Sequence, residues 1–284
     1  MVTIIDPTTK AEWSPRGLPR AYGGSKKIVT LSVRMRRAIA RVFRRQHDWL
    51  ARGSNWMRII DDARLIPWIA REDATQERIL MADPGDFDQF ADDFAVAMSP
   101  VLTDAVNAGG DAAIREAKSV LRIVIGVDWK MSNPDAVRFI EQHGLDLSRT
   151  VFGVTRAKLR LVIARGLDEG LSTKEIRDRV LATADDMSTV RARMIAQTET
   201  IRAQAEGAKI GYRQIGIGRI RWLDERPRHC PICARLHGQE IDFASGERFI
   251  DPETGIGYDG PPAHVGCQCA IRSVITPSTM VNAA

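Results

Sequence analysis

The sequence predicts a mostly α chain that ends in a small, loop-rich α+β module stapled by metal. Three observations lead there. Apolar residues recur at three- and four-residue steps from residue 28 to about residue 211, that rhythm gives way after Gly216 to short alternating segments set among glycines and prolines, and all four cysteines fall in this last part. With 284 residues, 44% of them hydrophobic and 27% charged, the composition is that of a globular protein with room for one large domain or two modest ones. No apolar run reaches the roughly 20 residues that span a bilayer. Residues 1–10 lack the basic-then-apolar layout of a signal peptide, so synthesis in the cytoplasm with no membrane contact is the expectation.

Residues 1–27 hold Pro7, Pro15, Pro19, Gly17, Gly23 and Gly24 with little periodicity and read as an extended arm. A helical N-terminal domain follows over 28–146. Its first helix carries Leu31, Met35, Ile39, Val42, Phe43 and Leu50 on one face and Arg34, Arg37, Arg41, Arg44 and Arg45 on the other. The net charge is only +5, yet residues 10–52 bring twelve basic residues against Glu12 and Asp48. Such a patch attracts nucleic acid or an acidic protein surface; a merely solvated helix face is the plain alternative. Residues 55–72 show a mixed pattern broken by Pro67. Asp83, Asp86, Asp88, Asp92 and Asp93 then open a second long helix through Phe87, Phe90, Phe94 and Met98, where acids suit the helix dipole.

Pro100 and the pair Gly109-Gly110 predict two or three helices between about 86 and 123 in place of one rod. Asn133-Pro134 supplies an N-cap and a first-turn proline for a short helix stopping at Gly144. Ser148 or Thr150 caps the next, through Leu159 and Ile163 to Gly166. Ser172 or Thr173 with Glu175 opens a compact helix to about Ala182, and Asp185 or Asp186 a long one to about Gly211.

A second domain is expected over 147–275, with 276–284 as a tail. In it the pieces Arg219 to Leu223, Glu240 to Phe243 and Ala270 to Val274 alternate as strands do. The loops between them have little core of their own and need a staple. His229-Cys230-Pro231-Ile232-Cys233 and His264-Val265-Gly266-Cys267-Gln268-Cys269 provide it, as a knuckle over 229–269. Two thiolates in a tight turn face one Zn²⁺ at about 2.3 Å, and a second pair completes a tetrahedron. Cys230, Cys233, His264, Cys267 and Cys269 are five candidates for four places, and which two of the last three complete the set is open. Reduced or disulfide-linked cysteines without metal are the alternative, and disulfides are disfavoured in the cytoplasm. Cys230-Pro-Ile-Cys233 also has thiol–disulfide exchange spacing, but such motifs open a helix after a strand in thioredoxin-like folds.

Full ligation by Cys and His leaves no place for a reacting water, so the expected zinc is structural. Neither H-x-E nor H-E-x-x-H occurs, which removes the deaminase and zincin patterns. Asp224, Asp251, Glu253 and Asp259 keep a metal-dependent nuclease in view, without a general base or paired carboxylates at the cluster. His47, His143 and His237 read as surface or packing residues.

Ile195-Ala196-Gln197-Thr198-Glu199-Thr200, Arg221-Trp222 with Asp224, Cys230 to Gly238, Pro261 to His264 and Cys267-Gln268-Cys269 together resemble the Mu F-like phage head morphogenesis (minor capsid) family over about 150–275. Two departures stand out: Gln197 where the family usually has Arg before Thr-Glu, and Gln268 where it usually has Arg between the last cysteines. The resemblance implies a non-enzymatic minor head protein, made in the host cytoplasm and built into the virion at the head interior or portal vertex. Its implied partners are the portal and the capsid or scaffold components, with packaged DNA alongside. Thr198, Glu199, Trp222 and Asp224 become motif residues; Glu199, mid-helix among the small neighbours Ala196, Thr200 and Ala203, reads either as a buried anchor for the knuckle loops or as a solvent-facing helix residue.

Overall fold

The computed structural model describes residues 25–52, 56, 60, 84–121, 129, 133–224 and 230–274. The expected arm, the mixed segment around Pro67, the tail and His229 lie outside the described residues, apart from the end of the arm, where the first helix already begins at Ser25. Four long helices come first: α1 (Ser25–Arg52), α2 (Pro84–Leu121), α3 (Pro134–Asp168) and α4 (Thr173–Gln214). They are followed by β1 (Arg219–Leu223), the short α5 (Pro231–Leu236), β2 (Glu240–Asp242), β3 (Phe249–Ile250), β4 (Gly257–Tyr258) and β5 (Ala270–Ser273).

The helices are longer and fewer than the punctuation of the sequence predicts, and each correction has a physical cause. Pro100 sits inside α2, on its exposed side, so the Val96 carbonyl that loses its donor lies toward water and the helix continues. Gly109 and Gly110 do not break α2; they are where α4 crosses it. A Cβ on Gly109 would lie 2.1 Å from the Gln204 carbonyl oxygen, and one on Gly207 of α4 would lie 2.0 Å from that of Val106. Small residues are required there because the two backbones touch. Gly144 is buried within α3, while Ser148 and Thr150 bond back to the carbonyls of Leu145 and Asp146 in place of capping a new helix. Asp185 and Asp186 likewise lie within α4.

Two start signals hold as read. Asn133 caps α3 through its side chain, which accepts from the Asp135 N–H at 2.9 Å, with Pro134 in the first turn. Ser172 caps α4 in a full capping box with Glu175. The boundary expected at 146/147 falls inside α3, and helices from both sides of it share one core. In that core Phe43 of α1, Phe94 of α2 and Phe152 of α3 meet with ring centroids 5.7–6.5 Å apart.

The strands appear where the alternation places them. β1 is central, antiparallel to β2 on one side (Ile220 opposite Ile241) and to β5 on the other (Trp222 opposite Ile271). β3 and β4 form a separate antiparallel pair. Trp222 is fully buried, edge-on to Phe249 at 5.2 Å, in a core completed by Ile201, Ala208 and Tyr212 of α4 and Ala113 and Ala117 of α2. Glu116 of α2 pins this seam by accepting from both the Tyr212 and the Ser273 hydroxyl.

Candidate metal centre

Cys230 is the N-cap of α5, in extended conformation, and its sulfur accepts from the Cys233 N–H at 3.2 Å. A thiolate thus does what Asp or Ser does at other helix starts, and Pro231 in the first turn loses no bond. The turn carries Cys233, fully buried, to the same side. At the far end of α5 the positive φ of Gly238 lets the chain reverse, and its N–H donates to the Trp222 carbonyl, tying α5 to β1. His237 is exposed and accepts at Nδ1 from the Asp224 N–H, a structural bond away from the cluster.

The second half is a matching turn. The Cys267 N–H donates to the His264 carbonyl at 3.1 Å, with Gly266 at φ +76 between them. Nδ1 of His264 lies 2.9 Å from the Val265 carbonyl, so that nitrogen carries the donated proton and Nε2 is left to face the sulfurs. Nε2 sits 3.0 Å from the Cys230 sulfur and 3.1 Å from that of Cys233. Cys233 and Cys267 are 3.8 Å apart, the edge of about 3.8 Å that a zinc tetrahedron with bonds of about 2.3 Å requires. Two triplets of ligand atoms lie within 4.8 Å: Cys230, Cys233, His264 and Cys233, Cys267, Cys269. Cys233 belongs to both. All four cysteines are free thiols. Cys230 does open a helix, but beside an all-antiparallel sheet, so the thioredoxin-like context is missing.

The cluster is electrostatically polarised. The Cys233 side chain, with help from His264 and the Cys233 N–H, brings Cys230 down to about 4 against the effect of burial. Burial opposes a charge on His264, yet the bond to Cys230 and the charge of Cys267 raise it to about 9. Hydrogen bonds from Cys233 and Cys269 lower Cys267, whereas Cys233 is pushed up by its sulfur neighbours. Cys269 gains from Cys233 but is raised on balance by Cys267, burial and the charge of Asp224. Soft thiolates with one imidazole, mostly buried, with the ring tautomer fixed from behind, fit a zinc ion in chemistry as well as distance.

What holds the second turn differs from expectation. Glu199 is buried, at 5% exposure, but it does not reach the knuckle; its carboxylate meets His143 Nε2 at 2.5 Å and Arg202 at 3.4 Å. His143, half-buried and stacked on Phe139, is therefore a strut between α3 and α4, the packing role of the two readings open to it. The anchors are its sequence neighbours. The Gly266 N–H donates to Thr198 Oγ1 at 3.0 Å, and Gln197 Nε2 donates to the Gly266 carbonyl at 3.1 Å. Gln197, a departure from the family pattern, makes a neutral bond that needs no arginine.

Three of the four nearby acids are consumed by ion pairs. Arg235 of α5 holds fully buried Asp251 through two bonds of 2.6 and 2.7 Å and also reaches Glu253, while Arg248 holds Asp259. The Arg235 hydrogen bond keeps the Asp251 carboxyl well below the carboxylate range in spite of burial. The folded state therefore binds fewer protons than the unfolded one in acid, and the contribution, present above the ordinary value of about 3.9, is lost as pH falls below it. Asp251→Asn is expected to lower the thermal midpoint at pH 7, with the gap to the parent narrowing as pH drops through about 4. Melting curves across pH check this.

On α1 the side chains of Arg34, Arg37, Arg41, Arg44 and Arg45 are all exposed, as expected. Arg34 pairs with Asp104 and Arg45 with Asp93, both on α2. With 100° per residue, these five plus Lys27 and Arg52 fall in an arc of about 100° along the helix.

Residues 157–272 match the family described as Phage Mu protein F like protein. No curated protein and no solved structure matches the chain. The matched span holds the end of α3, all of α4 with Gln197, Thr198 and Glu199, the Trp222 core and both turns of the cysteine–histidine cluster. Over residues 157–272, then, the chain is similar to the Phage Mu protein F like family.

Proposed function

We propose that this protein is a minor head protein of a tailed bacteriophage, acting in head morphogenesis, and that zinc bound by the cysteine–histidine cluster staples its C-terminal module. The domain match carries the first part of the reading. The ligand chemistry supports the second, and a closed Cys/His set gives structural rather than catalytic zinc. The neutralised acids around it favour a structural role over a nuclease. No helix among the described residues is long and apolar enough to cross a membrane, in keeping with assembly in the host cytoplasm and a place in the virion. Portal, capsid and scaffold components are the proposed partners. Mass spectrometry of purified virions, with co-purification alongside the portal protein, tests the assignment; absence from the particle together with no portal binding would sink it. One zinc per purified chain is expected by elemental analysis.

The basic stripe of α1 supports contact with packaged DNA as a companion reading. Lys27, Arg37, Arg41, Arg44 and Arg52 are exposed along the same face as the two paired arginines. Phosphate contacts of this kind make affinity salt-dependent, with a slope of about 0.9 per phosphate neutralised. Replacing Arg37, Arg41 and Arg44 by Ala is expected to flatten the slope of log affinity against log salt by about 3. An unchanged slope in a duplex-binding titration would place DNA elsewhere.

A further inference from the structure

We infer that the metal-holding tetrad is Cys230, Cys233, His264 and Cys267, with Cys269 outside it as a buried thiol backing the second turn; the inference rests on the metal reading above. The two halves are built alike. Each places its donors three residues apart, Cys230-x-x-Cys233 and His264-x-x-Cys267, and each is closed by a main-chain N–H of the fourth residue, on the Cys230 sulfur in one and the His264 carbonyl in the other. Such a turn brings its first and last side chains to one side.

Both donors of the second turn already touch the first. His264 Nε2 lies at 3.0 and 3.1 Å from the two sulfurs, and the Cys267 sulfur at 3.8 Å from that of Cys233. The turn is also held from outside the cluster, since Gly266 is gripped on both its N–H and its carbonyl by Thr198 and Gln197.

Cys269 stands beyond this turn. It directly precedes β5, whose first residue Ala270 is registered against Leu223 of β1, so its main chain is positioned by the sheet. To ligate in place of His264 it would require the ring to leave its seat between Cys230 and Cys233. To replace Cys267 it would require the turn held by Thr198 and Gln197 to unwind. Its sulfur, fully buried and within 4.8 Å of Cys233 and Cys267, fits a supporting role.

Zinc-edge X-ray absorption on the full chain reads the assignment directly. Three sulfur neighbours and one nitrogen are expected in the parent and, unchanged, in Cys269→Ser, with one zinc per chain in both. Four sulfurs in the parent, or one sulfur fewer in Cys269→Ser, would overturn it. Should Cys269→Ser fail to fold, Cys267→Ser decides: lost zinc supports the tetrad, and a retained site of three sulfurs and one nitrogen refutes it. A parent that holds no zinc removes the metal reading itself, and the assignment with it.

Discussion

Cys233→Ser is expected to abolish the proposed zinc binding and to unfold the C-terminal module while the four long helices persist. Cys233 is the only residue common to both ligand triplets among the described residues, so whichever groups complete the site, it is one of them. A serine hydroxyl keeps the size but is a hard, neutral oxygen that does not replace a soft thiolate on zinc. Structural zinc in small domains contributes apparent binding free energies of about 10–16 kcal/mol at neutral pH. Even a minor share of that exceeds what strands of two to five residues can supply between them. Cys233, Cys267 and Cys269 also lie in the apolar core with Trp222 and Phe249, so loss of the proposed metal is expected to loosen that packing. Limited proteolysis is the measurement: cleavage between residues 219 and 274 should appear in the variant and in chelator-treated parent, with helical circular dichroism largely kept. A variant that keeps its zinc and its protease resistance would show that the cluster is not the staple.

How much of this was legible in the sequence depends on the length scale of the signal. Local chemistry was readable: Asn133 and Ser172 as caps, the alternation of Arg219 to Leu223, and the two short segments 230–233 and 264–269 that carry the five candidate donors each lie within a few residues, while the choice among His264, Cys267 and Cys269 was not legible. Residues whose meaning depends on a distant partner were not. Gly109 and Gly110 have the same local appearance whether they end a helix or admit another one, and only the crossing of α4 tells which. Glu199 is buried, the first of its two readings, but its partner 56 positions away is His143 rather than the knuckle. The role expected of it passes one and two residues back, to Thr198 and Gln197, because a helix turns 100° per residue and only those positions face Gly266. Asp251 and Arg235, 16 positions apart, carry no local mark of being a buried pair.

The helix crossing gives the second large effect, and its sign is what makes it informative. In a helix interior Ala is favoured over Gly by about 1 kcal/mol, so propensity alone says that either Gly153→Ala or Gly207→Ala should stabilise the protein. Gly153 lies in α3, exposed, with nothing within 4 Å of the position its Cβ would take, and there the gain of about 1 kcal/mol is expected in full. Gly207 lies in α4 with the Val106 carbonyl oxygen 2.0 Å from that position and its carbon at 2.8 Å. Overpacking an ordinary core costs about 1–3 kcal/mol because side chains rotate away, but here the obstacle is backbone belonging to α2. The clash therefore sits at the upper end, about 3 kcal/mol, and after the propensity gain the net loss is about 2 kcal/mol, a fall in thermal midpoint of roughly 4–8 °C. The damage should spread beyond α2 and α4, since this crossing also sets the seam on which Tyr212, Ala113 and the Trp222 core rest. Calorimetry of the two variants side by side checks it. Midpoints that move in the same direction would mean that α2 and α4 do not meet backbone to backbone.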